Sequence, residues 1–321
     1  VAQRYRIVFF ARIPFLVETL TKLLGAEPDV DLTVVNTFDE LKAALPGADG
    51  LVLVDIPLEM SPGMRALLRE PATTLRWIHV ISAGREGIDA SDVPAAITVT
   101  SAAGAHSPVL GETIMAYILA FVRRIPEFAH ATAEHKWDRS VVASMTSVEG
   151  QTLAIVGLGH VGRQLAQRAR AFGMKIIAAT RTPKDEPLVD EVYPLSRLHE
   201  VLARADFVAL TIAQSSETYH LIGAAEFAAC KSTAYFVNMA RGGIVDPAAL
   251  VAALRAGTIA GYGTDVTDPE PLPADDPLWS APNVIISPHC AGSTSPFSGQ
   301  RLSGRVMDNL AKLRAGTLVP T

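Results

Sequence analysis

Cysteine is scarce in this chain of 321 residues: Cys230 and Cys290 are the only two. Two are too few for a disulfide framework or a cysteine-built metal cluster. Positive charge is in deficit as well. Lys and Arg number 28 against 33 Asp and Glu, a net charge of −5, the opposite of the basic surface that nucleic-acid binding normally requires. No apolar run reaches the roughly 18 residues that span a bilayer. Repeats, charge blocks and low-complexity tracts are missing. The first residues, Val1-Ala2-Gln3-Arg4-Tyr5-Arg6, run straight into apolar Ile7-Val8-Phe9-Phe10 without the layout of a secretory signal. The expected compartment is therefore the cytoplasm. What is present is 49% hydrophobic and 19% charged residues, a globular composition with core enough for about two domains.

A glycine fingerprint sits in mid-chain. Thr152-Leu153-Ala154-Ile155-Val156 leads into Gly157-Leu158-Gly159-His160-Val161-Gly162, and a helix-like stretch follows to Phe172. An apolar strand meeting G-x-G-x-x-G at the start of a helix is the context of a dinucleotide-binding turn. Gly157 allows the tight turn, Gly159 lets the backbone approach a pyrophosphate, and Gly162 lets helix and strand pack closely. The helix N-terminus presents free N–H groups and the positive end of its dipole to the phosphates. His160 and Val161 belong to the same turn.

Strand-like and helix-like segments alternate on both sides of this turn. Before it, Arg6–Phe10, Leu32–Val35, Gly50–Val54, Trp77–Ile81 and Thr98–Thr100 read as strands, with helices at Pro14–Leu24, Asp39–Leu45 and Ser61–Leu68. A long helix is expected over Ser107–Arg124, with Pro108 in its first turn. After it, strands are expected at Thr152–Val156, Lys175–Thr180, Phe207–Ile212, Ala234–Asn238, Ile259–Asp265 and Val284–Ser287. The helices between them are Val161–Phe172, Ser196–Ala203, Ala224–Ala229 and Pro247–Arg255, and Ser295–Ala315 closes the chain. The βα rhythm predicts an α/β protein with two open parallel sheets covered on both faces.

The strand after the fingerprint carries a second signal. A dinucleotide-binding unit that prefers NAD ends this strand in Asp or Glu, which binds the ribose 2′-hydroxyl. Here the segment reads Ala179-Thr180-Arg181-Thr182-Pro183, and the nearest acids, Asp185 and Glu186, lie beyond the proline. Arg181 and the hydroxyls of Thr180 and Thr182 attract a 2′-phosphate that a carboxylate repels. NADP(H) is thus favoured. The alternative is that Arg181 stacks on adenine and NAD(H) is accepted.

Three further segments end predicted strands with ionisable groups. They are Asn238-Met239-Ala240-Arg241-Gly242-Gly243, then Asp265-Val266-Thr267-Asp268-Pro269-Glu270-Pro271-Leu272-Pro273, then Asn283-Val284-Ile285-Ile286-Ser287-Pro288-His289. Ligands of open α/β sheets bind at the carboxyl ends of the strands. Taken together and in this order, the motifs resemble the D-isomer-specific 2-hydroxyacid dehydrogenase family, over about Leu75 to Gly292. Within that family the chain resembles the glyoxylate/hydroxypyruvate reductases, in a short form without a regulatory domain.

The resemblance implies a Rossmann cofactor domain, 102–291, inserted in a flavodoxin-like substrate domain made of 1–101 and 292–321. It implies hydride transfer between NAD(P)H and a small 2-oxo acid. His289 is then the general acid/base, Glu270 orients its imidazole and favours the charged form, and Arg241 holds the substrate carboxylate and carbonyl. Asp265 takes the place of the residue that holds the nicotinamide carboxamide, with Thr113 and the backbone of Ala240 nearby. Ile81-Ser82-Ala83-Gly84-Arg85-Glu86-Gly87-Ile88-Asp89 resembles the family's substrate loop, in which N–H groups of Ala83 and Gly84 cradle a carboxylate. Arg85-Glu86 departs from the usual small pair: Arg85 either contacts an anionic substrate tail or pairs with Glu86 or solvent and selects nothing. A homodimer through the helical stretch Val109–Ser140 of the cofactor domain is implied too, with Trp137 near substrate or partner. Two other readings stay open on the same fold, a dinucleotide-sensing corepressor and a short phosphoglycerate dehydrogenase.

Overall fold

The computed structural model describes residues 3–12, 16–82, 84–292 and 296–321. The chain divides into two compact units, Val1–His106 with Thr294–Thr321, and Ser107–Ser293. Among the described residues, no helix is long and apolar enough to cross a membrane.

The first unit runs β1 (Tyr5–Phe10), α1 (Val17–Gly25), β2 (Val30–Val35), α2 (Phe38–Ala44), β3 (Gly50–Leu53), α3 (Ser61–Leu68), β4 (Trp77–Val80), α4 (Glu86–Asp89) and β5 (Thr98–Ser101). The strands form one parallel sheet in the order β2-β1-β3-β4-β5, the flavodoxin-like order. Strands β3 and β4 are buried at every position, which explains why they read as apolar runs, broken only by the buried His79 of β4. One face packs Phe10, Leu51 and Leu53 against Leu41 and Met64. The other packs Ile7, Phe9 and Trp77 against Leu20, Leu24 and the C-terminal helix Pro296–Ala315, through Leu302, Val306 and Leu310. The end of the chain therefore completes the first sheet. Helix α2 starts where Thr37 and Glu40 form a reciprocal capping box, a local signal that fixes its N-terminus.

The second unit begins with α5 (Ser107–Val122) and α6 (Ile125–Ala133). It continues through β6 (Thr152–Val156), α7 (His160–Ala171), β7 (Lys175–Thr180), β8 (Glu191–Pro194), α8 (Leu198–Arg204), β9 (Phe207–Leu210), α9 (Ala224–Ala228), β10 (Tyr235–Asn238), α10 (Pro247–Ala256), β11 (Gly261–Thr264) and β12 (Val284–Ile286). Its seven parallel strands lie in the order β12-β11-β10-β9-β6-β7-β8. This is the Rossmann order, extended by one strand at the β12 edge. The two parallel-sheet α/β units are the expected fold class.

Strand β8, the short helix α4 and the end of the long helix α5 differ from expectation. Strand β8 was not predicted, because Glu191-Val192-Tyr193-Pro194 opens on an acid and ends on a proline. It pairs only with β7, and an edge strand tolerates both. The long helix expected to Arg124 ends at Val122; Arg124 adopts φ +54°, and α6 restarts with a proline in its first turn. The predicted helix starts at Pro14 and Ser295 fall outside the described residues.

Candidate active site

The glycine turn lies at the switch point of the second sheet, between β6 and β9, where the strand order reverses. Gly157 adopts φ +99°, and a Cβ there would stand 2.5 Å from Ile212 Cα. Thr211 Oγ1 donates to Gly157 O at 2.6 Å and ties the turn to the end of β9. A Cβ on Gly162 would meet Gly157 O at 2.6 Å. Gly159 is different: its Cβ would meet nothing within 4 Å, so no protein neighbour requires a glycine there. The twelve-residue helix α7 starts directly after it, with no side-chain cap and no acid in its first turn. His160 is exposed and Val161 half-buried at that start. Open space above a glycine and uncapped N–H groups fit an anionic dinucleotide backbone.

Strand β7 ends at Thr180, and Arg181 and Thr182 after it are exposed. Arg181 has no hydrogen-bond or ion-pair partner among the described residues. The nearby acid Glu186 is taken up by Arg163 of α7, Nε to Oε2, at 2.6 Å. Thr113 of α5 donates its hydroxyl to Val109 O at 3.0 Å.

Three neighbouring strands end in register, Asn238 beside Thr264 and Thr264 beside Ile286. Arg241 follows the first, Asp265 and Glu270 the second and His289 the third. The buried Asn238 side chain shapes the arginine turn: Nδ2 donates to Arg241 O at 3.0 Å, and Oδ1 accepts from Ala240 N at 3.0 Å. Gly242 lies against the Thr267–Asp268 backbone, close enough that a Cβ would stand 2.0 Å from Thr267 O. Glu270 divides its two oxygens. Oε1 accepts from Thr267 N at 2.9 Å, and Oε2 faces His289 Nδ1 at 2.8 Å. A carboxylate on Nδ1 favours a proton there, and Nε2 is the ring nitrogen turned away from Glu270. The His289 ring is half-exposed and lines a cavity of about 590 Å³ with Asp265, Glu270, Pro271, Trp279 and Ser287.

Asp265 is buried, and its carboxylate is turned inward. Oδ1 accepts from Cys290 N at 2.8 Å and Oδ2 from Ala291 N at 2.9 Å, while its carbonyl accepts from His289 N at 2.8 Å. Reading the sequence missed this anchoring, as it missed Asn238, Thr267 and Ser287. All lie inside the quoted motifs, but their contacts cross between strands.

In the first unit, Ser82 Oγ donates to Gly84 O at 2.8 Å; Ala83 lies outside the described residues. Asp55, after β3, accepts from Gly87 N and Ile88 N, each at 3.0 Å. Burial pushes its carboxyl up from the ordinary range, against the pull of those N–H groups. Arg85 pairs with Asp89 at 3.1 Å and donates to Thr321 O at 2.8 Å. Among the described residues, no group of three or more His, Cys, Asp or Glu is arranged to hold a metal.

A Rossmann-ordered sheet with an uncapped glycine turn, joined to a His–Glu pair at the ends of adjacent strands, defines a class: the dinucleotide-linked oxidoreductases. Residues 115–291 match the family described as D-isomer specific 2-hydroxyacid dehydrogenase, NAD binding domain. The glyoxylate/hydroxypyruvate reductase B of Citrobacter koseri is 36% identical over 302 residues, covering 91% of this chain and 87% of its own. The glyoxylate reductase of Korarchaeum cryptofilum is 36% identical over 78% of this chain and 76% of its own. A D-isomer specific 2-hydroxyacid dehydrogenase from Xanthobacter autotrophicus Py2, solved with NADPH and MES, superposes with a TM-score of 0.83 at 27% identity. That match covers 98% of this chain and 96% of that one. The chain belongs to the D-isomer specific 2-hydroxyacid dehydrogenase family, and its chemistry is NAD(P)-linked oxidoreduction of 2-hydroxy and 2-oxo acids.

Proposed function

We propose that the chain reduces a small 2-oxo acid of the glyoxylate or hydroxypyruvate type with NADPH in preference to NADH. The observation that carries the reading is the pair His289 Nδ1 to Glu270 Oε2 at 2.8 Å, with Thr267 N fixing the second carboxylate oxygen. Gly157, Gly159, His160, Val161 and Gly162 would hold the cofactor's pyrophosphate, with Thr113, Ala240 and Asp265 toward the nicotinamide end. Thr180, Arg181 and Thr182 would take a 2′-phosphate. A bound nicotinamide supplies the hydride; the protein's own residues supply position and proton. Arg241 binds the carboxylate and carbonyl of the substrate, which its planar fork suits. The resemblance also assigns the N–H groups of Ala83 and Gly84 to a substrate carboxylate. His289 Nε2 gives its proton to the carbonyl oxygen as that oxygen gains charge, and Glu270 stabilises the imidazolium that donates it. Residues 102–291 act as the cofactor domain, and 1–101 with 292–321 as the substrate domain.

The same reading takes the stretch from Val109 to Ser140 as the contact with a second copy of the chain. Helix α6 buries none of its residues, and Ile125 and Trp137 are 54% and 94% exposed, an apolar surface that suits an interface.

The test is oxidation of NADPH and NADH with glyoxylate, hydroxypyruvate and a panel of larger 2-oxo acids. His289→Asn should abolish most turnover and leave NADPH binding intact. Wild-type turnover in that variant removes His289 from the reaction, and clear preference for NADH removes the 2′-phosphate assignment.

A further inference from the structure

Beneath the His289 turn lies a hydrogen-bonded chain that the reaction as described does not use. It starts on α5, where Tyr117 Oη donates to Ser287 Oγ at 2.6 Å. Ser287 in turn donates to Asp265 Oδ1 at 2.5 Å. The same Asp265 oxygen accepts from Cys290 N, and its partner oxygen accepts from Ala291 N. His289 itself adopts φ +50°, a conformation that costs a bulky residue energy and persists only where the surroundings enforce it. The backbone at and after His289 converges on Asp265, the His289 N–H on its carbonyl and the Cys290 and Ala291 N–H groups on its carboxylate, so that residue enforces the turn.

We propose that Tyr117 is a positioning residue for His289, acting through Ser287 and Asp265. The inference rests on His289 being the proton donor of the proposed reaction. Three observations carry it.

The first is direction. The Asp265 carboxylate can only accept, so Ser287 spends its one proton there. Ser287 Oγ is then left to accept from the Tyr117 phenol, which burial keeps protonated. Each bond polarises the next, so the chain is worth more than its separate links. The charged or titratable groups that face the phenol are Asp265 and the Cys290 thiol.

The second is accommodation. Strand β11 carries Gly263 under the tyrosine ring, where a Cβ would stand 2.5 Å from Tyr117 Cδ2. The sheet makes room for this ring at the position where its hydroxyl reaches Ser287.

The third is the saturation of Asp265. A carboxylate offers about four acceptor sites, and the three bonds to Ser287, Cys290 and Ala291 leave about one for a ligand. The residue is above all the floor of the catalytic turn.

The experiment compares Tyr117→Phe, Ser287→Ala and the double variant with wild type. Two readouts are used: steady-state kinetics with NADPH and glyoxylate, and the downfield proton resonance of the His289 Nδ1–H bonded to Glu270. Each single variant should lower kcat roughly fivefold, the equivalent of one ordinary hydrogen bond, with the KM for NADPH unchanged. Each should also shift or broaden the Nδ1–H resonance. The double variant should lose no more than either single, because all three residues act through one chain. Unchanged kcat and resonance in both singles overturn the proposal, and so do losses that simply add. Absence of 2-oxo acid reduction in wild type would instead sink the proposed function, and the resonance would still decide whether Tyr117 positions His289.

Discussion

Gly242 offers a sharp test of how the site is assembled. It follows Arg241 and lies on the backbone that leads to Glu270. Replacing it with alanine puts a Cβ 2.0 Å from Thr267 O, 2.1 Å from Thr267 C and 2.6 Å from Asp268 N. Real Cβ atoms do not come within 3.0 Å of such neighbours, so the two backbones must part by about 1 Å. Both are backbone, and neither can swing aside as a flexible side chain would. The displaced segment holds Thr267 N, which fixes Glu270. Misplacement of a catalytic group by about 1 Å costs on the order of 100-fold in rate, and overpacking of this kind costs about 1–3 kcal/mol of stability. Gly242→Ala should therefore lower kcat/KM for glyoxylate by roughly 100-fold, with NADPH binding retained because the glycine turn at β6 is untouched. Steady-state kinetics, cofactor fluorescence titration and a thermal melt measure the three quantities. Wild-type kcat/KM in a folded Gly242→Ala protein would refute the idea that close approach of these two segments builds the site.

Three further outcomes are expected. Arg181→Ser should raise the KM for NADPH by roughly tenfold to 100-fold, the loss of a charge-assisted phosphate contact, and leave the KM for NADH near wild type; an unchanged ratio removes Arg181 from cofactor choice. Asp55→Asn replaces an acceptor with a donor opposite Gly87 N or Ile88 N, each bonded at 3.0 Å. Since a hydrogen bond to a charged group is worth about 1.5–3 kcal/mol, it should loosen the loop bearing Gly84, raise the KM for the 2-oxo acid and leave the KM for NADPH alone; unaltered kinetics would show that Asp55 does not shape the loop. Burial pushes the imidazole of His79 on β4 down to about 3 from an ordinary 6.5. The unfolded ring takes up a proton below 6.5 and the folded ring only near 3, so stability should fall as pH drops through that window, by up to about 1.4 kcal/mol per pH unit. Melting curves of wild type and His79→Gln across the window test this, and equal acid sensitivity in the two would refute it.

The parts of the fold that were legible in the sequence are those buried on both faces. Strands β3, β4, β6 and β9 read as short, largely apolar runs because every position on them but Thr152 is buried, and the parallel α/β class followed from their alternation with helices. Strand β8 was illegible because an edge strand needs neither apolar alternation nor every N–H group. The break at Arg124 was illegible for another reason. A left-handed residue followed by a proline ends one helix and starts the next without any change in hydrophobic pattern.

The candidate site divides along a similar line. Arg241, Glu270 and His289 stand out because each follows a predicted strand within a long motif. The parts that hold them do not stand out, since their contacts join residues far apart in the chain. Tyr117 and Ser287 are 170 residues apart, and no spacing rule links them. Cofactor choice shows the limit most clearly. The missing acid after β7 is visible in the sequence, and so is Glu186 close by, which argues against a 2′-phosphate if its charge is free. Only the fold brings Arg163 from the first turn of α7 onto that carboxylate, at 2.6 Å. A paired acid exerts a much weaker field on a third charge than an isolated one, while Arg181 remains without a partner among the described residues. Arg181 and Lys184 against Asp185 and Glu186 sum to zero; Arg163 on Glu186 tips the formal charge after β7 to +1, and the case for a 2′-phosphate rests on that pairing as much as on the acid that is not there.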